Sequence, residues 1–233
     1  MNRIFIADTH LGDTGKSDKY CWEDLLQDFL RRHKEDEVYL VGDIVDLIRC
    51  DFEKILWYRD NQLKLLEDKH YIPGNHDFVF SKYFALTWCE DGIYALHGHQ
   101  FDIDGNKLWR TLTILAWVLG KFLGRSEDWF SARELFKMSP TRRFFWGSLK
   151  PYEDGAKEIL KRSDVDVCVM GHLHKNIMKF YPDGIWVVVK DWCADEVPTY
   201  AFVSDEKVEL RNVETDVIIK TITRVKKVKK EVE

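Results

Sequence analysis

The sequence predicts an α/β fold, and three observations predict it. Short apolar runs alternate with amphipathic helical runs through the first half of the 233 residues. Five short strings rich in His, Asp and Asn each follow such an apolar run. The last quarter is a succession of strand-like runs divided by turn residues.

Residues 4–7 (Ile-Phe-Ile-Ala) read as the first strand; Met1-Asn2-Arg3 leads straight into it, so no signal peptide is expected. Residues 20–33 read as an amphipathic helix that turns Leu25, Leu26, Phe29 and Leu30 inward. A second strand at 37–41, a second helix at 52–66 and a third strand at 69–72 follow. Each strand feeds a loop that carries one of the strings, which is where α/β sheets place their ligands. After Gly92 the pattern changes: residues 94–96 lead into His97, and residues 165–170 lead into His172. Beyond these, 177–181, 185–189, 200–204 and 207–213 read as antiparallel strands, with Pro182-Asp183-Gly184 as a hairpin turn. No internal repeat or low-complexity linker interrupts the chain, so residues 1–233 are read as one domain with a helical insertion at about 105–150.

Composition narrows the classes. Apolar residues make up 45% of the chain and nine are tryptophan, which suits a packed core rather than disorder. A net charge of −5 argues against a nucleic-acid partner. Five cysteines without CxxC spacing read as small buried residues and suit a cytoplasmic protein with reduced thiols.

Chemistry concentrates in the strings. Six of the eight histidines fall in Asp8-Thr9-His10, Gly74-Asn75-His76-Asp77, His97-Gly98-His99 and Gly171-His172-Leu173-His174, and Gly42-Asp43-Ile44-Val45-Asp46 lies between the first two. Gathered imidazole, carboxylate and amide groups are what a site for two divalent transition metals needs. His33 and His70 stand outside every string and read as ordinary surface residues. Strand alternation would place His99 on the same side as His97.

In this order, each at the end of a strand, the five strings resemble the signature of the calcineurin-like metallophosphoesterases. The resemblance runs from Asp8 to His174 and implies a four-layer αββα sandwich of two mixed sheets with a helical cap insertion. It implies one metal held by Asp8, His10, Asp43 and His174, and a second held by Asp43, Asn75, His97 and His172. Asp43 bridges, because a carboxylate can give one oxygen to each of two neighbouring ions. Mixed nitrogen and oxygen donors favour Mn²⁺, Fe²⁺ or Zn²⁺ over Ca²⁺ or Mg²⁺, and Mn²⁺ is the expected ion. The implied activity is hydrolysis by a metal-bridging hydroxide. His76 would meet the phosphate or the leaving oxygen without binding metal, Asp77 would fix its tautomer, and Asp46 would orient a ligand.

The segment from Gly105 to Lys150 holds nine Lys or Arg against three acids, a local +6 inside a chain of net −5. It is rich in aromatic residues, yet its apolar stretch at 108–123 is too short and too charged to span a bilayer. One reading is a helical hairpin that packs on the core. The other is a lid that receives an acylated, phosphorylated substrate, with Arg133, Arg142, Arg143 and Lys150 at its rim, or rests peripherally on the inner face of the membrane. His97-Gly98 followed by Phe101-Asp102, the basic insert, and Lys190-Asp191-Trp192 near the end also resemble the UDP-2,3-diacylglucosamine pyrophosphohydrolases. Those enzymes carry Gly-Asn-Arg-Asp and His-Gly-Asp where this chain has His76 and His99. A histidine at position 76 would serve an alkoxide leaving group, which leaves open a broader phosphodiesterase or phosphomonoesterase acting on nucleotides or other small phosphoesters. A nuclease would be expected to show a basic track, and a non-catalytic scaffold would be expected to lack ligands.

Overall fold

The computed structural model describes residues 2–11, 22–46, 69–102, 149–192 and 197–227. The chain divides into two compact units, Met1–His99 with Ala156–Glu233, and Gln100–Gly155.

The first unit is built on two mixed sheets, as the sequence implied. In chain order its elements are β1 (Arg3–Ile6), α1 (Trp22–Arg32), β2 (Glu37–Val41), β3 (His70–Ile72), β4 (Thr87–Glu90), β5 (Ile93–Leu96), β6 (Val167–Met170), β7 (Ile177–Tyr181), β8 (Gly184–Val188), β9 (Thr199–Val203), β10 (Lys207–Asn212) and β11 (Ile218–Thr223). One sheet runs β11-β10-β9-β1-β2-β3 and the other β4-β5-β6-β8-β7. The strands that lead into the strings are parallel neighbours: β1 pairs with β2, β2 with β3, and β5 with β6. Antiparallel strands flank them on both sheets.

Side-chain alternation explains why β1 is buried along its whole length. Phe5 and Ala7 face the space between the sheets, where they join Tyr39, Val41, Ala95, Val167, Val187 and Ala201. Ile4 and Ile6 face the other way and pack with Leu26, Phe29 and Leu30 of α1. Each of those three helix side chains contributes about 1.5–3 kcal/mol relative to its exposed state.

Helix α2 (Lys150–Leu160) crosses from the second unit into the first. In the first unit, Lys157 Nζ stands 4.9 Å from the ring centre of Tyr181. Within the described part of the second unit, the Tyr152 hydroxyl donates to Asp102 Oδ1 at 2.5 Å. The expected helix at 52–66 and most of the expected insertion lie outside the described residues.

Two strands escaped the sequence reading. β4 (Thr-Trp-Cys-Glu) is a half-exposed edge strand with no clean alternation, yet Asp91-Gly92 announces its hairpin with β5. Both turn residues have positive φ, 48° and 82°, as a two-residue primed turn requires. β11 carries the β-branched run Ile218-Ile219-Lys220-Thr221-Ile222-Thr223 on an exposed edge. His33 needs a correction too: it is buried, because its ring lies against Phe29 and Tyr200, with Nδ1 3.0 Å from Asp36 and Nε2 3.3 Å from Asp216. His70 is exposed, as expected, and stacks on Tyr39.

Candidate metal centre

The strings converge because parallel strands deliver them to the same edge of the sandwich. Asp8 and His10 follow β1, Asp43 follows β2, Asn75 and His76 follow β3, His97 follows β5, and His172 and His174 follow β6. Backbone bonds stitch the loops together: Asp8 N donates to Gly42 O and His10 N to Asp43 O, each at 3.0 Å. Gly171 N donates to His97 O at 3.1 Å.

Backbone conformation turns the donors inward. Seven non-glycine residues among those described have positive φ, and five of them are Asp8, His10, Asp43, His172 and His174. Such conformations are costly for ordinary residues and persist only where the surroundings enforce them, which is characteristic of functional sites. Gly42, at φ 83°, and Gly74 complete the packing. A Cβ on Gly42 would stand 2.5 Å from Cγ of His97, and one on Gly74 would collide with the Asp43 carboxylate.

The donor atoms form three overlapping groups, Asp8–His10–His174, His10–Asp43–His76 and Asp43–His97–His172, with the atoms of each within 4.8 Å of one another. Asp8 Oδ1 lies 3.5 Å from His174 Nε2, 3.8 Å from His10 Nε2 and 3.9 Å from His97 Nε2. Asp43 Oδ2 lies 3.2 Å from His97 Nε2 and 4.0 Å from His76 Nε2. Asp8 Oδ1, His10 Nε2, Asn75 Oδ1 and His97 Nε2 are buried yet make no hydrogen bond. Burying polar atoms this way is costly unless something coordinates them. A cluster of orphaned carboxylate, amide and imidazole atoms fits divalent cations, so the residues suit the two metals implied by the sequence.

Other contacts fix how the donors face. His97 Nδ1 donates to Val41 O at 2.8 Å, which turns Nε2 toward Asp43. Asp46 stands between two rings, with Oδ2 3.2 Å from His10 Nδ1 and Oδ1 3.0 Å from His76 Nδ1. Burial alone would raise the carboxyls of Asp8, Asp43 and Asp46, but the surrounding imidazoles outweigh it and hold all three below the usual range. The imidazoles respond in kind. Burial would lower His97, but the charges of Asp43 and Asp8 raise it to about 9. Burial would likewise lower His174, but Asp191 and Asp8 raise it to about 10.

Asp77 departs from the expected geometry. Its Oδ1 accepts from Gly74 N at 2.5 Å, and its Oδ2 accepts from Ile44 N at 2.8 Å and from the Tyr71 hydroxyl. Burial, with Asp43 nearby, pushes its carboxyl up. The oxygens of Asp77 are thus engaged in holding two loops, and the carboxylate facing Nδ1 of His76 is that of Asp46. His99 opens a 3-10 turn instead of extending β5, so strand alternation does not govern it. Its ring nevertheless lies 5.5 Å from that of His97 and 6.3 Å from that of His172. Arg133, Arg142 and Arg143 lie outside the described residues, and Lys150 opens α2 with its side chain exposed. Asp191 is a residue that the reading of the strings missed: buried on the connection after β8, it places Oδ2 2.9 Å from His174 Nδ1.

Several solved structures are similar to the chain over most of its length. Vacuolar Protein Sorting 29 from Cryptosporidium parvum is 13% identical, with a TM-score of 0.50 over 97% of this chain and 98% of that one. A predicted phosphoesterase from Streptococcus pneumoniae is 17% identical, with a TM-score of 0.49 over 96% of this chain and 97% of that one. A dimetal phosphatase from Danio rerio is 11% identical, with a TM-score of 0.47 over 98% and 99%. No curated protein matches the chain in sequence. A family model described as calcineurin-like phosphoesterase matches residues 1–176, which takes in all five strings. The chain therefore belongs to the calcineurin-like phosphoesterase family.

Proposed function

We propose that this protein is a dinuclear-metal hydrolase of phosphoanhydrides or phosphoesters, with a UDP-2,3-diacylglucosamine-like lipid-linked pyrophosphate as its substrate class. The observation that carries the hydrolase reading is the convergence of buried, unsatisfied donor atoms from both sheets on one place. Asp8, His10, Asp43 and His174 would hold one cation, and Asp43, Asn75, His97 and His172 the other, with Mn²⁺ the first choice. When bound, such a pair supplies an acidified water and neutralises charge on the phosphoryl oxygens. Asp43 sets the spacing of the two halves. Asp46 orients His10 and His76 together through their Nδ1 atoms. His76, half-buried with Nε2 4.0 Å from Asp43 Oδ2, would donate a proton from Nε2 to the leaving oxygen.

The lipid-linked part of the proposal rests on sequence: the basic, aromatic insert and the local likenesses to the pyrophosphohydrolases. In this reading the insert is a lid, Arg133, Arg142, Arg143 and Lys150 meet phosphate, and the protein works at the cytoplasmic face of the membrane. No helix among the described residues is long and apolar enough to cross a membrane. His76 favours the second reading, a broader phosphodiesterase or phosphomonoesterase, because expulsion of an alkoxide benefits from a general acid more than expulsion of a phosphate does.

A panel on Mn²⁺-loaded protein separates the two, using UDP-2,3-diacylglucosamine, its deacylated form, bis-p-nitrophenyl phosphate and nucleotides. Each buried methylene contributes about 0.8 kcal/mol, so a lid that binds acyl chains gives a preference for the acylated form of about 1000-fold or more in kcat/KM. Equal rates on acylated and water-soluble substrates would replace the lipid reading with the second one.

A further inference from the structure

The two halves of the centre are braced differently. On one side, His97 is held through Nδ1 by a neutral backbone carbonyl, that of Val41 in β2. On the other, His10 and His174 each turn Nδ1 toward a carboxylate, Asp46 and Asp191 respectively. His174 has the greater need of a brace. It lies four residues beyond β6, and its side chain keeps 40% of its surface accessible, against 2% for His10 and none for His97. Asp191 is itself 3% exposed, so its position is set by the core and not by solvent. The next residue, Trp192, is buried, and its backbone N donates to Asp8 O at 3.1 Å. Two consecutive residues of the β8–β9 connection thus touch two members of one donor group, Asp8 through its backbone and His174 through its ring.

A carboxylate can only accept, so the His174 nitrogen that faces Asp191 keeps its hydrogen, and it is the other nitrogen, 3.5 Å from Asp8 Oδ1, that would give up its proton and offer its lone pair to an ion. We propose that Asp191 is the positioning residue for His174, and that it makes the Asp8–His10–His174 site, alone of the two, depend on the β8–β9 connection. This rests on the dinuclear reading above and deepens it. The two sites would not be equivalent: the His97 ring is braced by a strand carbonyl, and the His174 ring borrows a carboxylate from a strand connection that follows the last string.

The test is calorimetric titration of the metal-depleted full-length protein with Mn²⁺ alone, with manganese spin resonance to count bound ions. The wild type is expected to take up two ions. Asp191→Ala is expected to weaken one of them by about 10–100-fold and leave the other unchanged, the usual effect of removing a carboxylate behind a ligating imidazole. Asp191→Asn, which keeps an acceptor for Nδ1–H, is expected to lose less, and it serves as the working variant if the alanine protein fails to fold. In a His174→Ala background, Asp191→Ala should bring no further loss, since its target is gone. Unchanged binding in Asp191→Ala would overturn the proposal. So would equal weakening of both ions, or a loss that persists without His174, because either would describe a general structural role. A wild type that takes up no pair of ions would overturn the dinuclear reading and this proposal with it, a result distinct from the other three.

Discussion

The backbone amide of His172 donates to Asp8 Oδ2 at 2.7 Å. One of the earliest donors in the chain and one of the last are thereby bonded directly, and the bond crosses from the loop after β1 to the loop after β6, from one sheet to the other. It fixes Oδ2 on the protein and leaves Oδ1 for something else, which is the arrangement expected of a carboxylate that gives a single oxygen to an ion.

Asp43 divides its two oxygens in the same way, with Oδ1 accepting from His76 N at 2.7 Å and Oδ2 facing His97, so a bridge would run through Oδ2 alone and not through one oxygen for each ion as the sequence led us to expect. Asp43→Asn keeps a group able to accept the backbone bond but removes the charge. Turnover of a small chromogenic phosphoester should fall at least about 1000-fold, since several kcal/mol of charge stabilisation are at stake. Circular dichroism should show the fold retained.

His76 should behave otherwise. His76→Ala should keep both metals by elemental analysis and lose rate, with a greater loss on alkyl phosphodiesters than on pyrophosphates. Equal losses on the two substrates would mean that the ring stabilises phosphoryl oxygens and does not deliver a proton. Asp46→Ala should reproduce the loss in part, because its Oδ1 stands 3.0 Å from His76 Nδ1.

Gly42→Ala should be damaging although it adds one methyl group. The position has φ 83° and no room beside the His97 ring. A loss of about 1–3 kcal/mol is expected from the backbone alone, read as a lowered melting midpoint, and metal uptake should weaken with it.

The raised imidazoles set a pH dependence for the metal-free protein. His97 at about 9 and His174 at about 10 lie above the ordinary value of 6.5. Their ion pairs therefore contribute stability that is fully present below pH 6.5 and is lost as pH rises through 9 to 10. The depressed carboxyls of Asp8, Asp43 and Asp46 work in the opposite direction. Their contribution is present above the ordinary carboxylate value of 3.8 and is lost only as pH falls below it. The melting midpoint of the depleted protein should accordingly fall from pH 7 to pH 10. Metal must displace the imidazole protons, so its uptake at pH 7 should release protons, measurable by titration in buffers of different ionisation enthalpy.

The candidate donors were legible in the sequence for a physical reason. Candidate metal donors come from a few residue types and gather here at strand ends, so Asp8, His10, Asp43, Asn75, His97, His172 and His174 stood out as short strings. Supporting residues carry no such mark. Asp191 lies in no string and is recognised only once β8 brings it beside His174, and Asp77 looks like a partner for the neighbouring His76 until its oxygens are traced to Gly74, Ile44 and Tyr71. Edge strands were equally quiet. β4 and β11 bury little, so their sequences show little of the alternation that burial imposes. His33 misled for the converse reason, since its burial comes from Phe29 and Tyr200, the latter far along the chain.

The place of β1 in its sheet has a consequence for when the centre can form. Arg3 finds its antiparallel partner in Val203 of β9, and Asp8 O receives its bond from Trp192 N. Every expected metal donor precedes residue 176, yet β8 and β9, which follow it, are neighbours of β6 and β1. A chain ending at 176 would contain all the donors and leave both strands as raw edges, one side of each unpaired. In synthesis the earliest donors must wait for β8 and β9 to follow, and such long-range pairing is slow.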